Sequence, residues 1–345
     1  MQKDIYIRAA CQISAQPPLS EEWLDAPVRY SEPYVRAMDP DYKRYLEPNV
    51  ARRLGKLLKR AVLTARRVME ASGVACPDAI ITGTGLGCIE NTGVFLNALV
   101  REGEELLKPT SFMQSTHNTI SSLIAIDARC HGYNSTYAHK GISFECALLD
   151  GYLQLKAGEA STVLVGAHDE MTPEYFVLLK RAGYLGGAPG GFGGETAVSM
   201  MLGRQRAGSL CRLRGVEIAY RPSADEAGRI LNGLLQASRC SLDAVDAVMI
   251  GTNGHPRNDA VYAEMCPVLF PGKPLLRYKH LFGESYTAPG LGVYAAATVL
   301  HRQRIPGHLF VHAPGEAPRN IHNILFYNQF EGKNHSFILL SSCGE

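Results

Sequence analysis

Long apolar runs are missing from this chain: no stretch approaches the ~20 residues that a membrane span requires. The opening Met1-Gln2-Lys3-Asp4 lacks the charged-then-apolar order of a signal peptide, so a cytoplasmic protein is expected, with no membrane partner. An excess of one charge is missing too. Lysine and arginine number 35 against 33 acidic residues, and a net +2 gives nucleic acid no global electrostatic footprint. The nine cysteines are odd in number, scattered, and contain no C-x-x-C pair, which signals neither a disulfide framework nor zinc. The turn Gly83-Thr84-Gly85-Leu86-Gly87 reads G-x-G-x-G rather than G-x-G-x-x-G, and no ribose-binding acid follows it. The pattern points away from a dinucleotide site, and no cofactor is expected.

What is present describes a folded α/β chain. Its 345 residues can bury a large core, and the length suggests about two domains. Residues 4–10 read as a strand. Residues 15–48 lack clear period and read as a surface excursion. In 49–72, Leu54, Leu57, Leu58, Val62, Ala65, Val68 and Met69 recur at helical spacing, and Gly73 supplies the stop. The opposite face carries Arg52, Arg53, Lys56, Lys59, Arg60, Arg66 and Arg67, either a solvated surface or a docking face for an acidic carrier protein. Buried strands are expected at 79–83, 162–167, 198–202, 247–251 and 337–341, with helices over 223–238, from about Tyr262, and over 291–301. The repetition divides the chain into halves at 1–203 and 204–345.

Around the middle of the first half the chain reads Tyr137-Ala138-His139-Lys140-Gly141-Ile142-Ser143, then a helix, Gly158, and the strand Thr162–Ala167. The glycine-rich Gly186–Gly194 ends as Gly191-Phe192-Gly193-Gly194-Glu195-Thr196-Ala197. Pro109–Ile126 carries Asn118, and Asn328-Gln329-Phe330-Glu331-Gly332-Lys333-Asn334 closes the pattern. In these segments the chain resembles the type II β-ketoacyl synthases of the thiolase superfamily, over about residues 4–341. The resemblance implies a thiolase-type five-layer αβαβα fold from two pseudo-repeated halves, and a dimer built by strand pairing between protomers.

A condensing synthase needs a thiolate at a helix N-terminus and two histidines that support decarboxylation and stabilise the enolate. Counting back from Gly158 without gaps, the family's cysteine falls on Gly141. Anchored on Asp259, its first histidine falls on Gly251, with His255 displaced into the loop. In Lys279-His280-Leu281-Phe282-Gly283-Glu284 the second histidine is replaced by Glu284, which is expected to pair with Lys279. An ionised carboxylate cannot donate to a thioester oxygen. His139, Lys140, Ser143, His255, Lys279 and Phe330 remain as vestigial pocket candidates. Ser143 reads as a helix-capping or core hydroxyl and Cys146 as a structural thiol.

Three aligned positions are replaced together while Lys279, Phe330, Glu195 and Asn118 match. The pattern resembles a catalytically silent, chain-length-factor-like subunit of the aryl-polyene or flexirubin type. Such a subunit pairs with an active ketoacyl synthase and works with an acyl carrier protein in fatty acid or polyketide synthesis. Phe112, Met113 and Gln114 are the side chains expected to reach the partner's pocket. Two alternatives stay open: an acyl-thioester transferase or hydrolase using Ser143, His139 or His255, and a homodimer that binds an acyl chain or carrier protein.

Overall fold

A computed structural model describes residues 4–104, 107–183, 185, 191–312 and 320–344. Among these residues ten strands form one sheet in the order β3-β2-β4-β5-β1-β6-β10-β9-β7-β8. The first half supplies β1 (Ile5–Ile13), β2 (Ala79–Gly83), β3 (Tyr133–Tyr137), β4 (Thr162–Asp169) and β5 (Thr196–Gly203). The second supplies β6 (Cys211–Tyr220), β7 (Ala247–Ile250), β8 (Leu275–Arg277), β9 (Asn323–Phe330) and β10 (Asn334–Ser341). Within the first half β2 runs parallel to β3 and β4, while β5 is antiparallel to both β4 and β1. The second half repeats that pattern: β7 is parallel to β8 and β9, and β10 antiparallel to β9 and β6. The halves join where Ile5–Ile7 of β1 pair with Cys211–Leu213 of β6.

The helices fill layers around this sheet. In the first half they are α1 (Pro48–Arg53), α2 (Lys56–Ser72), α3 (Ile89–Glu102), α4 (Pro109–Ser115), α5 (Thr119–Ala128), α6 (Ser143–Ala157) and α7 (Pro173–Arg181). The second half adds α8 (Ala224–Ala237), α9 (Pro256–Leu269), α10 (Lys279–Phe282) and α11 (Ala288–Arg302). Strand alternation decides which layer each side chain enters. Ile80, Leu164 and Met201 face outward against Leu57, Leu58 and Val68 of α2 and Ile120 and Ile124 of α5. Their neighbours Ile81, Val163, Val165 and Met200 face inward against Phe144 and Leu148 of α6 and Leu291 and Val299 of α11. Across that central layer lie Phe326, Ile338 and Leu340 of the second half, whose outward residues Leu325, Phe337 and Leu339 meet α8 and α9. The result is the five-layer αβαβα arrangement expected from the resemblance. Glycine permits its close packing: a Cβ on Gly151 of α6 would stand 2.9 Å from Val165, and one on Gly290 of α11 would stand 2.6 Å from Ala167.

Three local expectations change. The helix over 49–72 breaks at Leu54-Gly55 into α1 and α2. The helix expected from about Tyr262 begins at Pro256, whose fixed φ suits the first helical position. The excursion over 15–48 is not only surface, because Trp23 is fully buried and packs edge-on against Phe282. Of the glycine-rich run, residues 186–190 lie outside the described residues.

The basic face also loses members. Arg60 points inward, 1% exposed, and its guanidinium bridges Asp39 at 2.6 Å and Glu195 at 2.9 Å. Glu195 completes the junction by accepting from the amides of Ala37 and Met171. One buried cation therefore ties α2, the excursion and the start of β5. Arg66 pairs with Asp127 at 2.6 Å, about one-third exposed. Removing one partner of a buried ion pair costs about 3–5 kcal/mol, whereas an exposed pair contributes about 0–1 kcal/mol. Arg60→Ala is accordingly expected to lower stability by about 3 kcal/mol, and Arg66→Ala by less than about 1 kcal/mol. Urea-unfolding midpoints measure both, and equal midpoints for the two variants would contradict this ranking.

Candidate functional site

The three aligned catalytic positions converge where β9 meets the start of α6. Gly141 lies buried in the short turn Lys140–Ile142 that precedes α6. The strained left-handed backbone falls one residue earlier, on Lys140 at φ 52°. A Cβ built on Gly141 would stand 2.2 Å from the Phe330 ring. The phenylalanine ring thus fills the space a nucleophile's side chain would need. Phe330 in turn meets Tyr286 edge-on, centroids 5.7 Å apart. It is followed by Glu331, which holds φ 56° where glycine would relax most easily.

Gly251, just past the end of β7, is closed the same way. A Cβ there would stand 2.4 Å from Asn328 Oδ1 and 2.6 Å from the Tyr262 hydroxyl. Those two groups are hydrogen-bonded at 3.1 Å, with Tyr262 donating. The Asn328 amide donates to Glu145 Oε1 at 2.8 Å, and Ser336 donates to the same oxygen at 3.2 Å. The third position, Glu284, accepts from Lys279 Nζ at 2.8 Å and from the Asn253 amide at 2.6 Å through one oxygen. The expected Lys279–Glu284 pair is present, with Lys279 5% exposed. Asp259 holds the loop before α9 by accepting from the amides of Asn253 and Gly254, both at 3.0 Å.

A cavity of about 450 Å³ opens in front of these groups. It brings together Gly141, His255, Lys279, Glu284 and Phe330 of the expected set. His139, Lys140 and Ser143 do not line it. Ser143 is buried, donating its hydroxyl to the Lys140 carbonyl at 2.7 Å and accepting from the His139 amide at 2.8 Å. It caps the turn. His139 instead meets Cys146, Nδ1 to Sγ 3.7 Å. That pair does not make a thiolate: burial, then the nearby Glu145 carboxyl, pushes the Cys146 thiol up to about 12. His255 reaches the cavity wall as the residue capping α9, its amide donating to Asn253 Oδ1.

Sequence reading did not single out Glu145, Asn253, Tyr262 and Asn328. A signal existed for one of them: Asn328-Gln329 interrupts the apolar run Ile324–Tyr327, and a buried amide in a central strand must have a partner. Among the described residues no group of His, Cys, Asp and Glu has the arrangement of a metal site. No helix of the described residues is long and apolar enough to cross a membrane.

The layered fold is that of a thiolase-type condensing-enzyme scaffold. The family model of the β-ketoacyl synthase N-terminal domain matches residues 25–248. The chain belongs to that family. Three solved structures show the likeness in three dimensions. One is the ishigamide ketosynthase/chain length factor, with TM-score 0.81, 17% identity and full coverage of both chains. Another is the ketosynthase ApeO in complex with its chain length factor ApeC from Xenorhabdus doucetiae. It gives TM-score 0.81 and 14% identity, covering 99% of this chain and 98% of that one. The third is AntDE:AntF, a type II polyketide synthase acyl-carrier protein in complex with its ketosynthase bound to the hexaketide. It gives TM-score 0.78 and 13% identity, covering 99% and 100%. No curated protein matches the sequence. At such identities the likeness is one of fold.

Two outcomes follow from this packing. Gly141→Cys forces Phe330 aside, and overpacking of this kind costs ~1–3 kcal/mol. The variant is expected to melt lower than the wild type and to stay unlabelled by an acyl thioester; adding Phe330→Ala is expected to restore stability. Efficient labelling of the single variant would show that the ring yields easily.

The second outcome concerns Glu145. Burial is the largest influence on its carboxyl and raises it from 4.5 to about 7. Between those values the folded chain holds a proton that the unfolded chain has lost, so stability falls as pH rises from about 4.5 to about 7. Glu170, raised to about 7 by burial, adds to the same slope. Glu145→Gln keeps the acceptor for Asn328 and Ser336 without the charge. It is expected to flatten the decline and to exceed the wild type in stability at about pH 8. Denaturation midpoints across that range decide it, and identical pH profiles for both proteins would contradict the assignment.

Proposed function

We propose that the chain is a catalytically silent, chain-length-factor-like subunit that pairs with an active ketoacyl synthase in type II fatty acid, polyketide or aryl-polyene synthesis. The observation that carries this reading is that two aligned catalytic positions are filled by neighbouring side chains, Phe330 at Gly141 and Asn328 with Tyr262 at Gly251, while the third holds Glu284 in an ion pair with Lys279. A synthase that had only lost its cysteine would leave a vacancy; here the space is repacked. Ser143, His139 and His255 do not form an alternative nucleophile–base pair, which weighs against a transferase or hydrolase.

An asymmetry between the two sheet edges supports a partner. The outer edge of β8 is covered by the segment at Phe310-Val311, where the Val311 amide donates to the Leu275 carbonyl at 2.9 Å. Strand β3, at the other end, has no covering strand among the described residues, and Tyr133 on it is exposed. An open strand edge pairs readily with another chain. Helix α5 packs beside β3, and α4 and α3 follow on in turn; α3 and α4 contain no buried residue, and Val100 of α3 is 84% exposed, Met113 of α4 66% and Ile126 of α5 72%. Exposed apolar residues collected in one region mark a protein interface.

The three side chains expected to reach across divide differently. Phe112 packs at a tilt against Phe95, centroids 5.3 Å apart, with much of its side chain exposed, and Met113 is free to project. Gln114 is committed within the chain, to Asn91 and to the Arg53 carbonyl. Arg52, Arg53 and Lys56 remain on the surface as the basic residues available to an acidic carrier protein. In this reading the pair works in the cytoplasm.

Co-expression with an active type II ketoacyl synthase tests the reading. A stable one-to-one complex is expected, and Phe112→Asp should dissociate it by desolvating a charge at the interface. Met113→Trp should leave condensation running but change product chain length. Full condensation by the isolated chain, or no association with any active synthase, would contradict the proposal.

A further inference from the structure

The nine cysteines follow no spacing motif, but the fold brings two of them together. Cys76 lies on the loop between α2 and β2, and Cys130 on the turn between α5 and β3. Strands β2 and β3 are parallel, with Ala79 opposite Tyr133. Cys76 and Cys130 each stand three residues before that pair, so the two cysteines approach the sheet level with one another. Neighbouring strands lie about 4.8 Å apart, within the ~4.4–6.8 Å that a disulfide spans between Cα atoms. The two approaches touch: the Tyr133 amide donates to the Asp78 carbonyl at 3.2 Å, and a Cβ on Gly132 would stand 2.1 Å from the same oxygen. Both thiols converge on one carbonyl, that of Pro77. Cys130 Sγ donates to it at 3.0 Å, and Cys76 Sγ lies 3.9 Å from it and 3.9 Å from the Arg129 carbonyl. Their exposures differ: Cys76 is open to solvent, whereas Cys130 is 8% exposed. Burial is the largest influence on the Cys130 thiol and raises it; the Gly132 amide lowers it and the neighbouring Cys76 raises it again. Cys211 and Cys343 are also neighbours, but Cys211 is wholly buried on β6.

We propose that Cys76 and Cys130 form a reversible thiol–disulfide site, in which the exposed Cys76 attacks and Cys130 resolves. The co-reactant is a low-molecular-weight disulfide such as oxidised glutathione. The Cys76 thiolate attacks one of its sulfurs, breaks its S–S bond and releases one glutathione thiolate. The Cys130 thiolate then attacks the Cys76 sulfur of the mixed disulfide and releases the second glutathione. One S–S bond is exchanged for another: the two cysteines are oxidised, the glutathione disulfide is reduced to two thiols, and the cysteine protons pass to the departing thiolates. Excess reduced thiol reverses the exchange. The bond joins the loop before β2 to the turn before the edge strand β3, and closes a long loop that contains α3, α4 and α5. Closing a long loop restricts the unfolded chain most. In a reducing compartment such a bond is transient and senses redox state. The chemistry needs no second subunit.

Peptide mapping by mass spectrometry tests this, on the full-length chain exposed to oxidised glutathione without denaturant. The wild type is expected to yield Cys76 joined to Cys130, each without its thiol hydrogen, and dithiothreitol should reverse the link. Cys130→Ser is expected to stop at a glutathione adduct on Cys76, and Cys76→Ser to form no link at Cys130. The wild-type map decides the matter by itself if Cys130→Ser does not fold. The oxidised chain should also unfold at a higher urea concentration than the reduced chain. A lasting glutathione adduct on wild-type Cys76, a link at Cys211–Cys343 in place of the expected one, or no reaction at Cys76 and Cys130 would overturn the proposal. So would a lowered urea midpoint after oxidation, because the bond would then form only by distorting the fold.

Discussion

Strand β9 controls the site because its side chains alternate. Phe330 and Asn328 are two residues apart and so emerge on the same face. The first covers Gly141 and the second covers Gly251, which puts two of the three aligned positions under one strand. That strand cannot shift to make room. It is hydrogen-bonded on one side to β10 along its whole length and on the other to β7, and Ile324 to Tyr327 within it are fully buried. Tyr262 and Glu145 then fix the Asn328 side chain from α9 and α6. The closed elbow is a consequence of the core, not of a mobile loop.

The same rigidity keeps the scaffold whole around the closed site. Everything that builds the scaffold is intact: the mirrored half-sheets, the central pair α6 and α11, and the Arg60 junction that ties the excursion to β5. What has changed is confined to a few side chains around one cavity. Helices α3 and α4 and the β3 edge contribute little to the chain's own core. They are available to a second protein without loss of the fold.

Much of this was legible in the residues. The strand and helix periodicity located most elements, because alternation and 3.6-residue spacing follow directly from which face is buried. The replacements at Gly141, Gly251 and Glu284 were legible as substitutions, and so was the Lys279–Glu284 pair. Their filling was not, because Phe330 and Gly141 are far apart in sequence and only the packing of β9 against the elbow brings them together. Arg60 misled for a related reason. Helical spacing put it with the surface arginines, and only the return of Asp39 and Glu195 from distant segments makes its burial tolerable. Strand β9 escaped detection as a strand because Asn328 and Gln329 break its apolar run.

The central claim is that chemistry belongs to the partner and none of it to this chain. Intact-protein mass spectrometry of the co-purified pair after exposure to an acyl thioester measures that directly. The account predicts an acyl adduct on the active synthase alone, with this chain at its unmodified mass. A stoichiometric adduct on this chain would contradict it and would mean that a nucleophile other than residue 141 reaches the cavity.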